Sequence, residues 1–138
     1  AYFTRGTSHN EYGGYTENGV IHAKTLDRLQ KKFDTGKSLL LQPEIITNRP
    51  KSKIGIINFE STTKAINETL NHLSIKGIGI NHMRIRAFPF SKKIDNFINE
   101  HEVIFIVEQN RDAQMKKLLG NEIDSISSKL LSLLLIHI

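Results

Sequence analysis

Two short runs of almost unbroken apolar residues, Ile54-Gly55-Ile56-Ile57-Asn58-Phe59 and Ile104-Phe105-Ile106-Val107, constrain this chain more than any other feature. Neither run alternates, so each reads as a strand covered on both faces, the situation of interior strands in a parallel sheet. Parallel strands need crossovers, and the residues after Phe59 supply one. Ser61 or Thr62 suits a helix N-cap, Ala65, Ile66, Thr69, Leu70 and Leu73 form one apolar face, and Gly77 closes the helix. The expected fold class is α/β: an open, mostly parallel sheet with helices on both faces, preceded by an irregular segment, a helix and a linker.

The rest of the chain extends this pattern. Ile78 to Ile85 reads as a second strand, parallel to the first. Arg86 to Phe90 reads as a loop, because Pro89 cannot continue a central strand, and Phe88 and Phe90 are expected as lids on the core. Ser91 then caps a short helix with Ile94, Phe97 and Ile98 turned inward. After Val107, Glu108, Gln109 and Asn110 leave the sheet, and Ala113 to Leu119 forms a helix ended by Gly120 and Asn121. Residues 123–138 fit both a helix (Ile123, Ile126, Leu130, Leu134) and a buried strand; the expectation is a short helix at Ser125–Lys129 and a strand at Leu131–Ile136. At the other end, residues 1–20 show no period and read as the tail of something upstream. A helix is expected from His22, with Leu26, Leu29 and Phe33 on one face and a stop at Gly36, and residues 37–52 read as an extended connection.

Composition removes whole classes of chemistry. A chain of 138 residues supports one ordinary domain. It has no cysteine, which excludes disulfides, thiol catalysis and iron–sulfur ligation by its own residues. Its six histidines show no ligand spacing. The net charge of +5 is spread evenly, with eight Lys/Arg against five Asp/Glu in residues 1–52 and eleven against nine in residues 53–138, so no basic stripe points to nucleic acid. The apolar run from Leu130 to Ile138 is too short for a membrane span, and a soluble, cytoplasmic protein is expected. Both ends look abrupt, as in a piece of a larger polypeptide.

Motifs for phosphate binding and nucleophilic catalysis are missing: there is no GxGxxG, no GxxxxGK loop and no GxSxG elbow. Ligands of open α/β sheets are met at the carboxyl ends of the strands, which makes Glu108 to Asp112 the first candidate edge. A plain strand-to-helix connection capped by Asn110 or Asp112 is the simpler reading. Glu60 and Glu108 both fall at strand ends, where they either share a proton for acid–base work or pair with Arg86 or Arg111. Residue chemistry alone therefore describes a small α/β binding or assembly module, with no catalytic, cofactor-binding or metal-binding residue of its own.

Several segments go further. YFTRGTSHNEYGGYTE, RLQKKFDTGK, KIGIINFESTTKAI, RIRAFPF and IFIVEQNRDAQMKKLL stand in the order and spacing of one family. Together they resemble the C-terminal portion of the alpha subunit of the 2-oxoacid:ferredoxin oxidoreductases, thiamine-diphosphate enzymes that oxidatively decarboxylate 2-oxoacids such as pyruvate to acyl-CoA. The resemblance implies that residues 1–17 end a domain packed over the thiamine pyrimidine ring. Residues 18–52 are then a connecting helix and linker, and residues 53–138 a domain similar to the transketolase C-terminal domain, used for assembly. It also implies that the fragment binds no cofactor and does not turn over alone. Thiamine diphosphate, magnesium and iron–sulfur clusters belong to the complete complex.

The implied partners are the beta subunit and the upstream part of the alpha subunit, with ferredoxin and CoA met through the complex, in anaerobic metabolism; neither nucleic acid nor membrane is implied. The resemblance matches His9, Asn10 and Glu11 to a polar loop of the family that faces a domain interface or the active-site cleft, and Arg86, Glu108, Gln109 and Asn110 to recurring positions at the strand ends; these are the expected domain or subunit contacts, with a buried Arg86–Glu108 pair as the concrete form. Two alternatives stay open: the same domain in another thiamine enzyme of the transketolase or pyruvate dehydrogenase beta type, and a free-standing α/β ligand-binding module.

Overall fold

The structure, a computed structural model, describes residues 8–47, 52–123 and 126–134. The chain divides into two compact units, residues 1–39 and 40–138. The first holds helix α1 (Gly19–Leu39), none of whose side chains is buried. Asn18 starts this helix, its Oδ1 accepting from the backbone N–H groups of Val20 and Ile21 at 2.9 and 3.3 Å, so α1 begins before the expected His22. It also runs through Gly36 rather than stopping there. A single glycine costs a helix interior about 1 kcal/mol, too little to end one.

The second unit is built on β1 (Glu44–Ile46), β2 (Ile54–Phe59), α2 (Thr63–Ile75), β3 (Asn81–Ile85), α3 (Lys92–Asn99), β4 (Val103–Glu108), α4 (Gln114–Glu122) and β5 (Leu130–Leu134). The strands form one sheet in the order β1-β3-β2-β4-β5. β3, β2, β4 and β5 are parallel, and β1 alone runs antiparallel, pairing Glu44 with Arg84 and Ile46 with His82. The α/β reading with an open, mostly parallel sheet thus holds. Within residues 37–52, expected only as a connection, lies the edge strand β1. A three-residue strand is too short to show a period.

Helices cover both faces. Ile94, Phe97 and Ile98 of α3 and Leu119 of α4 pack with Ile57, Met83, Ile104, Ile106 and Leu130 in the larger core. Ile66 and Leu70 of α2 pack with Ile56, Ile80 and Val107 on the opposite face. Close approach of α3 requires Gly55, because a Cβ there would lie 2.7 Å from Ile104 Cδ1 and 2.9 Å from Phe97 Cε1. α4 runs through Gly120 and Asn121, which were expected to end it. A 3-10 turn at Ser127–Lys129 leads into β5; the expected strand end at Ile136 lies outside the described residues. Phe90 is buried as a lid should be, whereas Phe88 is half exposed and meets Phe90 edge-on at 5.2 Å.

Candidate functional site

The chain passes from β2 through α2 to β3 on one side, then returns by way of α3 to β4 on the other side of β2. The carboxyl ends of β2 and β4 therefore flank the topological switch point, where neighbouring connections leave in opposite directions and a crevice opens. A crevice of about 320 Å³ is found there, lined by Phe59, Ser61 and Thr62 from the end of β2 and by Glu108, Gln109, Asn110 and Gln114 from the end of β4.

Glu108 is the anchor of this edge and is almost wholly buried. Its Oε2 accepts from Asn110 Nδ2 at 2.6 Å and from the backbone N–H of Met115 at 2.9 Å; its Oε1 accepts from Ser132 Oγ at 3.1 Å and the Lys116 N–H at 3.5 Å. The carboxylate thus seals the N-terminus of α4, where free N–H groups and the helix dipole favour negative charge. Asn110 Oδ1 takes the Gln114 N–H at 2.9 Å, completing the cap. The residue at the N-cap itself, Ala113, has no polar side chain and sits at φ +51°. Gln109 reaches across the crevice, its Oε1 accepting from Ser61 Oγ at 3.1 Å. Glu108, Gln109 and Asn110 are therefore brought together as one constellation.

Arg86 is not part of it. It pairs with Glu44 Oε1 at 3.1 Å, while Arg84 reaches Glu44 Oε2 at 3.4 Å, so both arginines fasten the edge strand β1. The expected Arg86–Glu108 pair is absent because β2 lies between the ends of β3 and β4, and because Glu108 is already saturated by donors of its own. Arg111 pairs with its neighbour Asp112 at 2.8 Å instead of with a strand-end carboxylate. The side chain of Glu60 lies outside the described residues.

Beside the crevice, on the α2 face, runs a buried polar chain that the sequence reading missed. Asn58 is fully buried; its Nδ2 donates to Thr62 Oγ1 at 2.9 Å and Thr63 Oγ1 at 3.0 Å, and its Oδ1 accepts from His82 Nε2 at 2.7 Å. Burial pushes the His82 imidazole below its ordinary value, with Glu44 opposing and Arg84 reinforcing that shift. Its Nδ1 is buried with no partner among the described residues, as suits a neutral ring. Asn58, the one polar residue inside the otherwise apolar β2, and His82 in β3 were the available signal.

His9, Asn10 and Glu11 lie in the first unit. His9 pairs with Tyr15 in an isolated antiparallel bridge, and Asn10 Oδ1 accepts from the N–H groups of Tyr12 and Gly14 at 3.0 and 2.9 Å, shaping the turn in which Gly13 takes φ +80°. Tyr15 bonds to Glu17, which raises its hydroxyl above the ordinary value. Asn10 and Glu11 line a groove of about 340 Å³ with Tyr12, Lys24, Thr25 and Arg28.

Among the described residues no group of three His, Asp or Glu could hold a metal ion, and no helix is long and apolar enough to cross a membrane. Among the described residues the crevice is lined by no Lys, Arg or His, and the Glu108 carboxylate is already taken by four donors, so this donor set does not fit a magnesium diphosphate group. Fold and edge together define a small α/β module with a crevice at its switch point. Comparison with known proteins places this module more closely. Over 118 aligned residues the chain is 25% identical to "2-oxoacid:ferredoxin oxidoreductase 2, subunit alpha" of Aeropyrum pernix, an alignment covering 83% of this chain and 18% of the relative. In fold it is similar to a 2-oxoglutarate:ferredoxin oxidoreductase from Magnetococcus marinus, solved with 2-oxoglutarate, coenzyme A and succinyl-CoA bound. The TM-score is 0.82 at 18% identity, with 97% of this chain and 24% of that chain covered. No protein-family model matches the sequence. The resemblance carried by the sequence segments is borne out, for a chain that spans about a quarter or less of the proteins it matches.

Proposed function

We propose that this chain serves as the C-terminal, assembly part of the alpha subunit of a 2-oxoacid:ferredoxin oxidoreductase, which converts a 2-oxoacid and CoA to acyl-CoA while reducing ferredoxin. The observation that carries this reading is the coincidence of sequence and fold: an alpha subunit of this class aligns over 83% of the chain, and a solved 2-oxoglutarate:ferredoxin oxidoreductase superposes on 97% of it. The donor set supports a non-catalytic role. The crevice residues do not suit thiamine diphosphate with magnesium, and the chain has no cysteine for an iron–sulfur cluster, so those groups fall to other parts of the complex, the beta subunit among them. In this reading residues 1–17 close a pyrimidine-binding domain and residues 53–138 are a transketolase C-terminal-like domain. Arg86 and the turn from Glu108 to Asn110 serve subunit contacts, as do His9, Asn10 and Glu11, in a cytoplasmic complex of anaerobic metabolism.

Co-expression of the longer polypeptide that carries these residues with a thiamine-binding partner subunit tests the proposal. Expected is CoA-dependent reduction of ferredoxin or a viologen dye by a 2-oxoacid, with none from the 138-residue chain alone. A reconstituted complex that binds its thiamine cofactor but oxidises no 2-oxoacid would refute it.

A further inference from the structure

We propose that the free edge of β5 pairs with β5 of a second copy of this chain, antiparallel and centred on Ser132, so that two five-stranded sheets join into one. The two edges of the sheet are unlike. At one end β1 is three residues long and carries Glu44 between Arg84 and Arg86, a charged guard against strand addition. At the other end β5 is Leu130-Leu131-Ser132-Leu133-Leu134, with neither charge nor proline, and among the described residues it pairs on one side alone, with β4. It lacks the devices by which edge strands resist pairing.

Its two faces differ as well. Leu130 stands beside Ile104 in the core under α3 and α4, and Ser132 on that face bonds Glu108. Leu131 and Leu133 point to the opposite face, beside Phe105 and Val107, and each is 46% exposed. Of the helices in the second unit only α2 packs on that face; it covers Val107 and leaves Phe105 at its margin, partly buried. Phe105, Leu131 and Leu133 thus form an apolar strip that runs to the free edge.

The sequence of β5 selects the occupant, because it reads the same in both directions. An antiparallel pair about a twofold axis at Ser132 sets Leu131 opposite Leu133, and Leu130 opposite Leu134, of the second copy. With the axis perpendicular to the sheet, both α2 faces lie on one side and the four exposed leucines meet there. No charge opposes a like charge across the seam, since the neighbouring Lys129 is turned to the His101 carbonyl oxygen at 3.2 Å. The guarded β1 edges are left outermost, which closes the assembly at two copies. The patch is smaller than a standard interface of about 1,600 Å², so the dimer is a weak one. This inference is independent of the oxidoreductase reading.

Sedimentation velocity of the 138-residue chain across the micromolar range tests it. Expected is a reversible monomer–dimer equilibrium with no larger species, strengthened by salt because copies of net charge +5 repel. Leu131→Lys and Leu133→Lys, both at exposed positions, should each weaken the dimer at least tenfold and leave the circular dichroism spectrum unchanged. The lack of cysteine lets the register be read directly. Under mild oxidation, Leu131→Cys mixed with Leu133→Cys should form a disulfide-linked pair. Either variant alone should not, because like positions stand diagonally, about 7–8 Å apart, too far to be bridged. A chain that stays monomeric at every concentration, its edge then left to a different partner, would overturn the proposal. Open-ended growth, a dimer indifferent to both lysine variants, or equal cross-linking within either cysteine variant alone would overturn it too.

Discussion

At the end of β4 one carboxylate accepts from two backbone N–H groups, an amide and a hydroxyl, and the local structure depends on it more than on any other side chain of the edge. Glu108→Ala would leave the N–H groups of Met115 and Lys116 and the Ser132 hydroxyl without an acceptor. A loss of about 3 kcal/mol is expected in urea denaturation, against about 1–2 kcal/mol for Glu108→Gln, which keeps an acceptor oxygen. His82 gives the second residue-scale prediction. Burial holds its folded-state value below the ordinary one of about 6.5, so as pH falls the unfolded chain takes up the proton first. The neutral ring therefore contributes stability that is present above about pH 6.5 and lost as pH falls below it. Stability measured from pH 7.5 downward should drop less steeply in His82→Gln than in the parent chain. The sequence showed Glu108 as a strand-end residue but assigned it the wrong partner. Pairing between side chains is decided by which strand lies between them, and strand order is not written in any local pattern.

Among the elements, those with dense, periodic apolar residues were legible: β2 spans the predicted Ile54–Phe59, and α3 buries Ile94, Phe97 and Ile98 as predicted. Elements with few residues or with interrupting glycines were not. β1 is three residues held at the sheet edge by Glu44 between Arg84 and Arg86, a contact between residues some forty positions apart. α1 and α4 pass through Gly36 and Gly120 because the cost of one glycine is smaller than the gain from further turns. Gly55 is a glycine of the opposite kind, required by packing. Gly55→Ala would force a Cβ against Ile104 and Phe97, with an expected destabilisation of about 1–3 kcal/mol. Calorimetry of Gly55→Ala, Phe97→Leu and the double variant checks the cause: the double should lose less than the sum of the singles, since the smaller side chain makes room.

For the whole molecule, the issue is whether the polar edge serves the domain itself or its neighbours. Arg86 and Glu44 are partly exposed, and such a pair adds about 0–1 kcal/mol to stability. Arg86→Ala should therefore shift urea midpoints little, weaken subunit assembly in analytical ultracentrifugation, and leave the preference among 2-oxoacids unchanged. Altered substrate preference with intact assembly would argue against a contact role. The amino-acid sequence by itself determined the class of fold, because buried parallel strands and amphipathic crossovers are local periodic patterns. It also determined the resemblance to an oxidoreductase alpha subunit, carried by whole segments in register. Only the tertiary structure decided the strand order, and with it the switch point, the separation of Arg86 from Glu108 and the Asn58–His82 chain. These depend on contacts between residues distant in sequence, and their positions follow from how helices and strands pack.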